Sequence, residues 1–400
     1  MRTIKLVVAG LIAGTIAGAV TPDYPVRADS VSYEETADDN DTGVTSPIFP
    51  DIQGHWSERW VRWALGNQYI TGYSDLTFRP DQPITEAEFL KVYYLSFGYP
   101  KATIFGEEWT AGPYRMAKNW KHPIPGLQDP QAQAAPITRQ TAAQFIASAL
   151  GKNYSDRDSI IFLLGNQLLP LPEEPTVEGF NGNATLTRAE ALEWIRMLKL
   201  KGNILNPRPQ ELSDRGGLPP LPDKGTGIKD FTAVPVTEAD FGIGDPGGKL
   251  IMEWSSPRSL VEQYYGASTG QDVFNNEMYK GVFVHYDSSG KMDSWSVKAD
   301  EDAGEPALTA TLQHIRPGVS TLEDVLKAYG TYAEVSNTYG VILSYTFENM
   351  DGVLIPRLLP GDKVNSDRGY VMAFSFDEET LKVTHMKLST LQRAIYPDDN

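Results

Sequence analysis

The sequence predicts a multidomain chain: an all-α triplicate followed by an α+β domain made of two helix-plus-sheet repeats. Three observations predict it. First, a Thr-capped helix start recurs at Thr85, Thr138 and Thr187, 53 and 49 residues apart, each time as the second helix of a helix–loop–helix unit. Second, from about Gly247 the apolar period shortens from helical to alternating. Third, that later region repeats itself. Val261-x-x-x-Tyr265-Gly266 matches Val325-x-x-x-Tyr329-Gly330, and Gly281-Val282-x-x-x-Tyr286 matches Gly340-Val341-x-x-x-Tyr345.

The chain opens with a basic head, Arg2 and Lys5, then the apolar run LVVAGLIAGTIAGAV and a small-residue cleavage site after Ala28. The run is too short and too rich in Gly and Ala to span a bilayer, so residues 1–28 read as a signal peptide. No later segment is long and apolar enough to cross a membrane. Net charge is -17, and removing a segment with Arg2, Lys5 and Arg27 against Asp23 leaves roughly -19. A chain so acidic does not coat nucleic acid or anionic lipid by bulk attraction, and any anionic ligand needs a local set of donors. The absence of cysteine excludes disulfides, thiolate zinc sites and a cysteine nucleophile.

Residues 29–47 are polar and acidic and read as a disordered linker. Their DDNDTG resembles the front of a calcium loop, but Phe49 stands where the bidentate Glu is needed, so no metal is expected. Residues 48–202 read as three units, about 48–100, 101–152 and 153–202. In the first, Trp60, Val61, Ala64 and Leu65 share one helical face. Phe89, Val92, Tyr93 and Leu95 are the apolar positions of the next helix, and Gly98 stops it. Residues 203–246 are dominated by Pro and Gly and read as a semi-extended linker. From 247 to 400, GVFVHYDSSGKMDSWSV reads as two strands around a Ser-Gly turn. GVILSYTF and YVMAFSFDEETLKVTHMKL are further strands, with helices in PRSLVEQYYG and STLEDVLKAYG.

Thr-x-x-Glu before an apolar helix is a capping box. Thr85 with Glu88, and Thr187 with Glu190, fit it; Thr138 is a simple cap because Thr141 stands in the Glu position. The residue after each cap is Glu86, Arg139 and Arg188. A cation there opposes the helix dipole by about 0.3–1 kcal/mol. Arg139 and Arg188 are therefore candidates for an anion-binding corner made with free helix amides, with Thr138 and Thr187 beside them. The competing structural reading is that each Arg reaches a neighbouring Asp. Glu86 satisfies the helix and repels an acidic ligand, so one or two grooves are expected to bind, not three. Trp63 is the expected surface tryptophan and Trp56 and Trp60 the core ones. His55 reads as structural beside Trp56, and Asp51 as fixing the opening turn.

Phe49, Asp51, Gly54, His55, Trp56, Gly72, Tyr73, Asp75, Phe78, Pro80, Ile84, Thr85, Ala87, Glu88 and Phe89 make the first unit resemble the S-layer homology family. Leu76 replaces the family's Gly, and Glu86 its Arg. The second and third units, PITRQTAAQF and LTRAEALEW, are more divergent. The resemblance implies a pseudo-threefold helical bundle over residues 48–202. It implies non-covalent binding to an anionic, pyruvylated secondary cell-wall polysaccharide attached to peptidoglycan. It also implies secretion to the cell surface.

The second half faintly resembles tandem repeats of β-lactamase-inhibitor-like proteins and small envelope lipoproteins, which implies a surface for a protein or small ligand. GASTG at 266–270 has a helix before it and polar loop after it, the reverse of a nucleophile elbow. SSGK at 288–291 lacks partner motifs, and the five histidines are scattered. His285 and His385 meet only if the two repeats pair. The chain is expected to be no enzyme and to carry no cofactor. The rival reading is a wall-associated hydrolase with catalysis in the second half.

Overall fold

The computed structural model describes residues 3–5, 49–99, 107–224, 234–245, 247–299, 310–336, 340–357 and 363–395. The expected signal peptide (apart from Thr3–Lys5) and the acidic linker with DDNDTG lie outside the described residues.

Six helices form three helix–loop–helix units. They are α1 (Glu58–Gly66) with α2 (Glu86–Ser96), α3 (Ala111–Trp120) with α4 (Arg139–Ala149), and α5 (Asp156–Gly165) with α6 (Arg188–Leu200). The starts of α2, α4 and α6 follow from their caps. Thr85, Thr138 and Thr187 accept the amide three residues on, and Glu88 and Glu190 complete capping boxes. Just before each cap the chains join in a closed ring. The Ile84 amide donates to the Leu186 carbonyl (2.9 Å), Leu186 to Ile137 (3.0 Å) and Ile137 to Ile84 (3.0 Å). All three side chains are buried, so one cyclic hydrogen-bond set sits on one shared core. Trp60, Val61 and Ala64 are buried as expected, and Gly98 ends α2 at φ 84.

The Pro/Gly segment is not a free linker. Residues 203–224 strap the bundle: Asn206 donates to Ala149 (2.7 Å), Arg208 to Trp120 (2.9 Å) and Ser213 to Asn153 (2.9 Å). Leu205 and Leu221 pack on its core. Proline restricts the unfolded chain, so an extended strap loses little entropy on docking. The second core also begins before Gly247. Phe241 is fully buried, and its carbonyl accepts from the Trp295 indole (2.8 Å).

Strand β1 (Thr3–Lys5) pairs with β10 (Lys363–Asn365). In the second half β2 (Ile243–Gly244) pairs with β3 (Leu250–Met252). Then come α7 (Arg258–Tyr265), β4 (Glu277–Met278), β5 (Val282–Tyr286), β6 (Met292–Lys298), α8 (Leu322–Tyr329), β7 (Glu334–Ser336), β8 (Val341–Met350), β9 (Val353–Arg357), β10 (Lys363–Asn365), β11 (Gly369–Phe376), β12 (Val383–Thr390) and α9 (Leu391–Ile395). One antiparallel sheet runs β4-β5-β6-β12-β11-β8-β7, with β9 added on β8.

The duplication is visible in the backbone. Ahead of α7, Pro257 bridges Lys291 at the β5–β6 turn; ahead of α8, Thr321 bridges Lys382 at the β11–β12 turn. Met292 donates to Ser256 (3.0 Å) and Val383 to Ser320 (2.8 Å). Both hairpins carry a β-bulge at the same place, His285/Tyr286 and Ser375/Phe376. Both helices end in glycine, Gly266 and Gly330, at φ 85 and 80. These contacts correct the repeat read from the sequence: β5 occupies the place of β11, not of β8. If Lys291 answers to Lys382, Ser296 answers to Lys387, and those two residues pair with each other. The pseudo-twofold therefore falls on the β6–β12 seam. His285 lies on β5 opposite Ser294, and His385 on β12 opposite Lys298, so the two do not meet.

The two halves share α6. Ile195 and Leu198 face the bundle core, while Met197 and Leu200 enter the second core. Arg196 donates to the carbonyls of Thr331 and Ala333, and Lys199 to Ser96 (2.6 Å). Burial pushes the Glu334 carboxyl up, and the Arg196 and Lys199 charges pull it back.

Candidate functional site

The helix starts of α2, α4 and α6 lie at the three junctions of the ring, and each carries its distinguishing residue there. Their backbone amides are not free, which corrects the expected anion corner. Glu86 donates to Ala135 (3.0 Å), Arg139 to Ala184 (2.9 Å) and Arg188 to Gln82 (2.9 Å). Gln140 and Ala189 donate to Gly182 and Pro80 (both 2.9 Å), and the next amides go to the Thr caps. Inter-unit carbonyls have taken the donors a ligand needs, and the Thr138 and Thr187 hydroxyls are engaged in capping.

The side chains explain the alternation of charge. Arg188 donates from Nε to the Phe78 carbonyl and from Nη1 to Glu88 Oε1, both at 3.0 Å. Arg139 donates to Glu190 Oε1 and to the Phe180 carbonyl (3.5 Å). Each glutamate is shared. Glu88 Oε2 accepts the Thr85 amide (3.0 Å) and Glu190 Oε2 the Thr187 amide (2.9 Å), while the other oxygen receives an arginine from the neighbouring unit. The arginine partner is thus a Glu of the next unit, not an Asp. An arginine at 86 would look for a carboxylate at the same place in α4, where Thr141 stands. Glu86 instead turns to the second unit's loop. Its Oε1 accepts from the Tyr114 hydroxyl (2.6 Å) and the Gly126 amide (2.8 Å). Burial pushes its carboxyl up against the pull of those two donors.

Around Arg188 lies an aromatic and cationic patch that sequence reasoning missed. The guanidinium sits 4.6 Å from the Phe78 ring and 5.0 Å from the Tyr73 ring. Arg79, at φ 59 and 43% exposed, covers Tyr73 at 3.9 Å. The Thr77 hydroxyl and Arg79 hold the Asp75 carboxyl down at about 2. Asp51 fastens this loop rather than its own turn: its carboxylate accepts from the Phe78 amide (3.0 Å) and the Arg79 amide (2.6 Å). A Cβ on Gly72 would strike the Phe49 ring at 2.2 Å, so Gly72 is a packing glycine.

The tryptophans exchange roles. Trp63 is fully buried, edge-on to Tyr69 and under Arg196, because α1 turns that face to α6. Trp56, expected in the core, is 52% exposed because it lies in the turn before α1. His55 is partly buried, with both ring nitrogens facing neighbours. Its Nδ1 accepts from the Ser57 amide (3.2 Å), its Nε2 faces Asp81 (3.4 Å), and its ring lies 5.5 Å from Trp56.

Residues 48–90, which run from ahead of α1 into the first part of α2, match the family model of the S-layer homology domain. No curated protein matches the chain. The chain therefore carries an S-layer homology domain, a module that mediates non-covalent anchoring of surface proteins at the cell wall. No helix among the described residues is long and apolar enough to cross a membrane.

Proposed function

We propose that the chain is an exported surface protein held at the cell wall by its helical bundle. In this reading the bundle receives an anionic, pyruvylated secondary cell-wall polysaccharide at the two arginine junctions. The observation that carries it is the charge layout of the ring. Two junctions carry a guanidinium, and the third holds a carboxylate turned to the second unit's loop. The Arg139 side chain remains 26% exposed beside Glu190, and Arg79 adds an accessible cation next to Arg188. A sugar carboxylate competing with Glu190 or Glu88 gains charge-assisted hydrogen bonds in their place. Trp56 replaces Trp63 as the aromatic face open to a sugar ring.

The second half is read as non-enzymatic, a domain that binds a protein or small ligand. Its Ser268 hydroxyl donates to the Gly270 carbonyl (2.9 Å) in an exposed loop.

The test is co-sedimentation of the mature chain with wall sacculi, before and after hydrofluoric acid removes attached polymers. Retention lost on acid treatment, and reduced in folded Arg139→Gln and Arg79→Ala variants, supports the reading. Equal retention by stripped sacculi and by both variants removes it.

A further inference from the structure

The seam between the two repeats gathers basic side chains on the sheet face turned away from the core. Its core face carries Val297, Met386 and Leu388. On the other face the paired residues are Ser296 with Lys387, and Lys298 with His385. The next strand adds Ala373 beside Lys387 and Ser375 beside His385. Cross-strand neighbours on one face stand about 5 Å apart at Cβ, so three basic residues share a small area floored by short side chains.

Lys298 and Lys387 lie diagonally across the seam, where like charges are unfavourable, and this chain has a surplus of acid with which to separate them. It does not. Lys387 is half-buried, yet among the described residues no hydrogen bond or ion pair engages its ammonium. The opposing charge that reaches it is Asp272. That carboxylate is already committed to the amides of Phe274 and Asn276 (both 2.9 Å) and to the Asn276 side chain (2.8 Å). Arg393, which donates to the Phe274 carbonyl of the same loop, adds further positive charge. Burial and then the Arg393 charge push the Lys387 ammonium down. Burial, then Lys298 and Lys387, bring His385 down to about 4. A half-buried lysine with no acceptor of its own, beside Lys298 at the pseudo-twofold of a duplicated sheet, is a place where an anion gains charge-assisted hydrogen bonds.

We propose that this face binds an oxyanion, a carboxylate or phosphate group of a ligand, centred on Lys387 with Lys298 and the Ser296 and Ser375 hydroxyls around it. The proposal rests on the reading of the second half as a binding domain and names the chemistry it recognises.

The test is calorimetric and NMR titration of the mature chain with two probes, glucuronate and inorganic phosphate. Which probe binds more tightly distinguishes a sugar acid from a phosphoryl source. Expected are shift changes at Ser296, Ser375 and Lys387 for at least one probe. Affinity is expected to fall about tenfold in Lys387→Ala and to be largely kept in Lys387→Arg. Lys327→Ala, in an exposed helical ion pair with Glu323, is expected to change nothing. If Lys387→Ala does not fold, Lys298→Ala, whose side chain is exposed, gives the same direction at about threefold. The proposal is overturned if neither probe binds the wild type, or if Lys387→Ala binds both unchanged. A peptide or uncharged sugar held equally by wild type and Lys387→Ala overturns the anion site while leaving a binding role for the domain.

Discussion

Arg188 of the third unit reaches Glu88 of the first at 3.0 Å, across a junction between residues a hundred positions apart. The same glutamate caps its own helix with its second oxygen. One side chain thus ends a helix and joins two units, and Glu190 does the same for Arg139. The ring holds two such links rather than three because the second unit has Thr141 where the others have glutamate.

Removing Arg188 is therefore expected to act on stability first. Its side chain is 8% exposed, and it leaves behind Glu88 and the Phe78 carbonyl. Breaking a largely buried pair from one side costs about 3 kcal/mol. Arg139→Ala, at a more exposed pair, is expected to cost about 1 kcal/mol. Urea unfolding of the two variants measures the difference. Equal small losses would mean that the junction salt bridges do not hold the ring.

The third junction admits a charge exchange. Glu86→Arg alone loses the bonds from Tyr114 and Gly126 and places a cation at the positive helix end. A loss of about 2–3 kcal/mol is expected. Adding Thr141→Glu completes the capping box and supplies the missing partner, and about 1 kcal/mol or more should return in the double variant. A double-mutant cycle reads the coupling directly. Strict additivity of the two changes would show that this junction cannot adopt the geometry of the other two.

Leu76 stands where the family pattern has glycine, at φ 60 and 66% exposed. A leucine in the left-handed region loses about 1–2 kcal/mol, and its exposed side chain has no packing to offset it. Glycine removes the strain but is more flexible when unfolded. Leu76→Gly is expected to raise stability by up to about 1 kcal/mol, seen as a higher urea midpoint at unchanged slope. A lower midpoint would indicate that Leu76 makes a contact in solution worth more than the strain.

Local chemistry made much of this legible in advance. Thr85, Thr138 and Thr187 marked the helix starts because capping is decided within four residues, and the strands around Gly290 followed from alternation and a turn. What stayed hidden depends on residues distant in sequence. The partner of Arg188 is a hundred residues away, and the face that buries Trp63 is set by α6. The strap 203–224 read as a linker because Pro and Gly composition records flexibility in the unfolded chain, not the carbonyls of Ala149 and Trp120 that await its amides. Glu86 and Thr141 were both visible as departures from the repeat, and only the ring shows that the two departures answer each other. The β5-for-β8 misassignment has the same origin: Gly-Val-x-x-x-Tyr is a local likeness of two strands, whereas a shared bulge is a property of the pairing.

His122 ties the strap to the bundle and should make that attachment sensitive to acid. It is 1% exposed, with Nδ1 against the Tyr94 hydroxyl (2.8 Å) and Nε2 against the Asn206 carbonyl (2.9 Å). The carbonyl can only accept, so Nε2 carries the proton and Nδ1 accepts from Tyr94. Burial lowers the imidazole from 6.5 to about 4, outweighing the Asn206 carbonyl that favours the charged form. A depressed folded pKa means that the unfolded chain binds the proton first. The contribution is thus complete above about pH 6.5 and is lost as pH falls towards 4, on the order of 2–3 kcal/mol. His385 behaves in the same direction and adds to the slope. Urea midpoints of wild type and His122→Gln, taken between pH 7.5 and 4.5, are expected to converge as pH falls, because the glutamine variant has one fewer group to protonate. Proteolysis within 203–224 should rise over the same interval in the wild type. Parallel midpoints across that range would place the acid sensitivity elsewhere and leave His122 a packing residue alone.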